Sequence, residues 1–98
     1  MKLKLVPMVA EVEHAEAFSA LGQLSRLRIY FHLVKAGGEV AAGEIQTALD
    51  IPAPTLSHHL EVLRRAEVIE ARPEGRFIWY RANRNKASEL VRLLTACC

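Results

Sequence analysis

Apolar residues return every three or four positions through most of this chain, switch to every second position near residue 68, then return to the longer period. Between Val9 and Leu21, the residues Val12, Ala15, Phe18 and Leu21 fall on one helical stripe, which Leu5 extends and Gly22 ends. Residues 1–8 are expected to form a flexible N-terminal arm ahead of it. Ser25 is placed to cap a second helix, "RLRIYFHLVKAG", in which Leu27, Tyr30, Phe31 and Val34 recur at helical spacing. Gly37-Gly38 stops that helix, since glycine takes a left-handed cap without steric cost. A short third helix, "AGEIQTALD", follows, with Ile45 and Leu49 one turn apart.

The next stretch, "IPAPTLSHHLEVLRRAEVIEARPEGRFIWYRA", holds two periods. Pro54 suits a first helical turn, where a missing N–H has no partner to lose. From there to Ala66 the leucines Leu56, Leu60 and Leu63 share one side, with His59 at the edge of their stripe. Pro54, Ser57, His58, Glu61 and Arg65 face away. After Glu67 the alternation of Val68-Ile69-Glu70-Ala71-Arg72, the turn Pro73-Glu74-Gly75 and the run Arg76-Phe77-Ile78-Trp79-Tyr80-Arg81 predict a β-hairpin. Asn83 or Asn85 can cap a last helix whose residues Ala87, Leu90, Val91 and Leu94 are spaced i, i+3, i+4, i+7. Four helices, a hairpin and a helix make a winged helix-turn-helix (ααααββα), mainly α with one β-hairpin, in a single domain of 98 residues.

Charge sharpens this picture. Residues 1–63 hold five Lys/Arg against seven Asp/Glu, whereas residues 64–98 hold eight against four, so the second half is basic, as a polyanion partner requires. In the fourth helix Pro54, Thr55, Ser57 and His58 occupy the exposed N-terminal turns, where free N–H groups and the helix dipole favour phosphate. Arg65 lies further along, and Arg72 and Arg76 bracket the hairpin tip, within reach of a groove or backbone. These residues are the candidate contacts to double-stranded operator DNA. His59 reads as a structural residue, and Phe77 and Trp79 as packing residues. No apolar run approaches the ~20 residues of a membrane span, and the N-terminus is not a signal peptide, so a cytoplasmic protein without a membrane partner is expected. The four histidines (14, 32, 58 and 59) join no recognised catalytic pattern, and neither an enzyme nor a small-molecule substrate is expected.

"FSALGQLSRLRIY", "PTLSHHLEVLRRAEVI" and "EGRFIWYRA" together resemble the ArsR/SmtB family of metal- and metalloid-responsive repressors, over residues 16 to 96. The resemblance implies a homodimer built through the first and last helices, here Val12, Ala15, Leu90, Val91 and Leu94. It also implies a palindromic operator released when an inducer ion binds. Where the family often carries two cysteines in a pattern like E-L-C-V-C-D-L, this chain has Glu39-Val40-Ala41-Ala42-Gly43-Glu44-Ile45, and its last helix lacks the histidine of the family's zinc site. Ala53 replaces a common polar residue, Glu61 a common basic one and Glu67 a common glycine. A carboxylate at position 61 repels phosphate unless it reads a cytosine amine.

The chain's two cysteines, Cys97 and Cys98, stand together at its end. Soft thiolates select soft ions. The resemblance extends to an arsenic-responsive subgroup with such a pair at the end of the last helix and a third cysteine a few residues later, which these 98 residues do not include. A monosubstituted arsenical offers two positions for thiolate, so trivalent arsenic, as arsenite or an organoarsenical such as methylarsenite, is the expected inducer, bound at Cys97 and Cys98 and not a permanent cofactor. A redox or persulfide switch, another soft metal, a prenylation signal, idle thiols and a constitutive DNA binder are the competing readings.

Overall fold

The computed structural model describes residues 9–96. Helices α1 (Val9–Leu21) and α2 (Leu24–Ala36) lead into a two-residue strand β1 (Val40–Ala41), then α3 (Ala42–Leu49), α4 (Ala53–Arg65), strands β2 (Ile69–Glu74) and β3 (Phe77–Ala82), and α5 (Arg84–Thr95). The strands form one antiparallel sheet in the order β1-β3-β2. The winged helix-turn-helix expected from the sequence is present, with one strand added. β1 is too short to carry a period of its own; it exists because Val40 and Ala41 pair with Tyr80 and Trp79.

Two local expectations are corrected. The cap of α2 is Gln23, not Ser25: Gln23 is extended, and its side-chain oxygen accepts the N–H of Arg26 at 2.9 Å. Ser25 is already inside the helix, one position after Leu24. The hairpin also turns later than Pro73-Glu74-Gly75. Pro73 and Glu74 pair with Ile78 and Phe77, leaving Gly75-Arg76 as the two-residue turn. β2 lies at the sheet edge, where proline's missing N–H removes no ladder bond. Gly75 at φ 59 supplies the positive angle that a tight hairpin needs at its first turn position.

The core joins all five helices and the sheet. Ile29, Leu33, Ile45, Leu63, Val68 and Ile69 are its largest fully buried side chains. In α1 the inward face is small: Ala17 and Ala20 are buried, Phe18 and Leu21 partly so. Val12 and Ala15 therefore point away from this core.

The end of α4 determines how the wing leaves it. Val68 N–H donates to Leu63 O and Glu67 N–H to Arg64 O, the paired bonds of a Schellman stop. Glu67 must then be left-handed, at φ 64, a region costly for any residue with a Cβ. Glycine, with no Cβ, takes this conformation without that cost. Glu67→Gly is expected to stabilise the fold by about 0.5–1 kcal/mol, the relief of strain less glycine's larger unfolded entropy. A urea midpoint that stays still or falls would contradict it.

Candidate nucleic-acid interface

The N-terminus of α4 is open. Its cap is Pro52, which offers no side-chain acceptor, and Pro54 occupies the first turn. Leu56 N–H donates to Pro52 O at 2.9 Å, so the earlier donors of the first turn face outward. Leu56, Leu60 and Leu63 are buried, while Pro54, Thr55, Ser57 and His58 are all exposed. One helix thus anchors through its leucines and presents hydroxyls and an imidazole beside the positive end of its dipole.

His59 sits on the inner side, at 8% exposure. Its Nδ1 lies 3.4 Å from Arg26 Nη1, and Arg26 Nε donates to Ala20 O at 2.7 Å. Arg26 therefore links the last carbonyls of α1 to the recognition-type helix α4. Burial, then the charge of Arg26, then that of His58 hold the His59 imidazole below its ordinary pKa of 6.5. His59 is neutral in the fold, so its environment causes no loss above pH 6.5. As pH falls below that value the unfolded chain takes up the proton first, and stability declines until the folded imidazole also protonates. His59→Gln is expected to flatten this part of the stability profile. Identical slopes for parent and variant between pH 7 and 5 would contradict the assignment.

The predicted arginines are not equivalent. Arg65 Nε donates to Glu61 Oε2 at 2.9 Å, and Arg64 binds the same carboxylate through Nε and Nη2 at 3.0 and 2.8 Å. These two guanidiniums hold the Glu61 carboxyl down to about 2. Arg72 donates to both oxygens of Glu39, at 2.7 and 2.9 Å, and lies 3.5 Å from Glu74. The Arg72 pair lowers the Glu39 pKa and ties β2 to the segment before β1. Arg72 thus fixes the wing's stance. Among the described residues Arg76, in the exposed turn, has no ion-pair partner. Phe77 is 63% exposed beside it, and Trp79 Nε1 donates to Glu74 Oε1 at 3.1 Å. Phe77 stays outside the buried core, but its ring tilts against that of Trp79 with centroids 6.4 Å apart, so its packing is within the wing.

Sequence reasoning missed Glu39 and Arg26. Arg72 and His59 are each 33 residues from their partners, and Ala20 meets Arg26 only across the break between α1 and α2, so no local spacing announces them.

α1 and α5 meet on another side. His14 Nε2 and Glu89 Oε2 are 2.8 Å apart, with Lys86 Nζ 3.5 Å from the same oxygen. Val12, Val91, Leu93 and Leu94 are 49, 59, 49 and 68% exposed there, and Ala15 is exposed too. Leu90 differs from the sequence expectation. At 4% exposure it belongs to the subunit's own core, because the α5 stripe is two-faced and Leu90 takes its inner edge. Cys97 and Cys98, the expected ion ligands, lie outside the described residues. Among the described residues no group of three His, Cys, Asp or Glu is placed to hold a metal, and no helix is long and apolar enough to cross a membrane.

A helix-turn-helix followed by a hairpin with a basic tip defines a winged helix DNA-binding regulator. A helix-turn-helix domain model matches residues 21–72. The chain is 41% identical over 66 residues to the transcriptional repressor SdpR of Bacillus subtilis, covering 67% of this chain and 71% of that one. Its fold is similar to that of an ArsR-like transcriptional regulator from a Rhodococcus species, with TM-score 0.81 and 26% identity over 91% of this chain and 82% of that one. It is also similar to the homodimeric winged helix-turn-helix DNA-binding domain of a possible ArsR-family regulator from Mycobacterium bovis, with TM-score 0.73, 28% identity and coverage of 98% and 89%. The chain belongs to the ArsR/SmtB family of winged helix-turn-helix transcriptional repressors.

Proposed function

We propose that this protein is a homodimeric repressor that binds operator duplex through α4 and the β2–β3 wing and is released by trivalent arsenicals at Cys97 and Cys98. The observation that carries the DNA reading is the open, polar N-terminus of α4 standing with the unpaired Arg76 of the wing. The homodimer is supported by the exposed Val12, Val91, Leu93 and Leu94 of α1 and α5, and by the homodimeric state of the Mycobacterium bovis neighbour. The inducer reading is supported by the sequence: only Ala96 separates the cysteine pair from α5, the helix that carries this apolar face. Ion binding there biases how two subunits meet and, through them, the spacing of two α4 helices.

The test is fluorescence anisotropy on duplex from upstream of the protein's own coding region. Binding is expected to weaken linearly in log–log form with salt, and Arg76→Gln to reduce the slope by about 0.9 per subunit. Methylarsenite and arsenite are expected to weaken binding about 5–150-fold, a coupling of ~1–3 kcal/mol. The Cys97→Ser/Cys98→Ser variant is expected to bind DNA normally and ignore both. Equal release from parent and variant would remove the cysteines from the mechanism; salt-independent binding would remove the DNA reading.

A further inference from the structure

The middle of the outward face of α4 holds a carboxylate. At about 100° per residue, Ser57, His58, Glu61 and Arg65 form one stripe, with Glu61 between His58 and Arg65. Its side chain is 44% exposed. Glu61 Oε1 accepts from Arg64 Nε, and Oε2 accepts from both Arg64 Nη2 and Arg65 Nε. One negative charge thus occupies two guanidiniums on a surface that otherwise suits a polyanion.

Such a carboxylate treats different parts of a duplex differently. Phosphate oxygens and the guanine edge offer only acceptors, which it repels. Base amines in the major groove, cytosine N4 and adenine N6, are donors. Each carboxylate oxygen has two acceptor positions, and Oε1 uses one of them on Arg64. Oε1 makes no second hydrogen bond among the described residues, and Arg64 and Arg65 hold the carboxylate in place. A pre-set acceptor costs less ordering on binding than a free glutamate does.

We infer that Glu61 is a specificity-determining residue of α4. By occupying Arg64 and Arg65 it weakens binding to arbitrary duplex, and it recovers that loss only where its free lone pair meets a base amine, cytosine N4 foremost. The inference rests on the reading of α4 as the recognition helix.

Glu61→Gln keeps length and shape but drops the charge. Parent and E61Q are compared by anisotropy across a salt series, on the upstream duplex and on an unrelated duplex of equal length. For E61Q the unrelated duplex is expected to bind about tenfold tighter, with a slope steeper by up to about 1.8 per subunit, as two guanidiniums become free for phosphate. The upstream duplex gains less, and the ratio of the two affinities falls by about tenfold. Glu61→Asp, which retains the charge, is expected to keep the parent's slope; a merely structural role would move both variants together. An E61Q protein with the parent's slope, or one that tightens on both duplexes equally, overturns the inference. A parent protein without salt-dependent binding to either duplex overturns the recognition-helix reading itself, at an earlier and separate step.

Discussion

Leu63→Ala is expected to cost about 3–4 kcal/mol, close to the upper range for truncating a fully enclosed leucine. Leu63 has no exposed surface. It packs from α4 into the centre of the core, and its carbonyl accepts the Val68 N–H that ends the helix. Removing three carbons there loses their transfer energy and leaves a cavity the surrounding helices cannot close, since Ile29, Leu33 and Ile45 are also fully buried around the same core. Against a total stability of about 5–15 kcal/mol, this is enough to endanger the native state. A domain of this size is expected to lose roughly 15–25 °C in Tm. The measurement is thermal and urea unfolding at fixed protein concentration, because association adds to apparent stability. Leu63→Met, which conserves volume, should cost under about 1.5 kcal/mol. An alanine variant within 1 kcal/mol of the parent (about the cost of an average substitution) would show that α4 is not anchored at this point.

Arg26→Met is expected to cost about 2–3 kcal/mol, the range for losing charged hydrogen bonds whose partners stay partly buried. Methionine keeps the apolar stem and removes only the guanidinium. Ala20 O then loses its 2.7 Å donor, and His59 Nδ1 loses its 3.4 Å neighbour. The last turn of α1 loses a cation placed where the helix dipole favours one. A second readout separates this from a packing effect. The charge of Arg26 is the second cause of the depressed His59 pKa, after burial, so NMR titration should find His59 closer to its ordinary value in the variant. An unchanged His59 titration with reduced stability would mean that Arg26 acts on α1 alone.

Much of this was legible beforehand because helices and hairpins announce themselves through short-range period. Leu56, Leu60 and Leu63 repeat on one side of α4, and all three are buried. Asn83 was a candidate cap, and its side chain accepts the Lys86 N–H at 3.2 Å. His59 read as structural and is buried against Arg26. The turn was harder. Pro73 usually signals a bend, but an edge strand tolerates it, and Gly75 took the position instead. The strand β1 was illegible, since two residues define no alternation.

The charged groups show the deeper limit. Arg65, Arg72 and Arg76 look alike in sequence, each a basic residue near the expected DNA surface. Their partners set them apart. Arg65 is held by Glu61 one turn earlier, a relation the helical repeat contains, whereas Arg72 is held by Glu39, which only the closing of β1 on β3 brings near. Arg76, in the exposed turn, has no ion-pair partner among the described residues.

The residues alone thus determined the order of the five helices and the hairpin, the buried side of α4 and the basic character of the second half, all properties of neighbours a few positions apart. Only the folded chain decided which arginines are free, which face of α5 Leu90 joins, and why Glu67 must be left-handed. Those outcomes depend on contacts between distant segments and on one backbone angle imposed by the Schellman stop, and no local pattern encodes either.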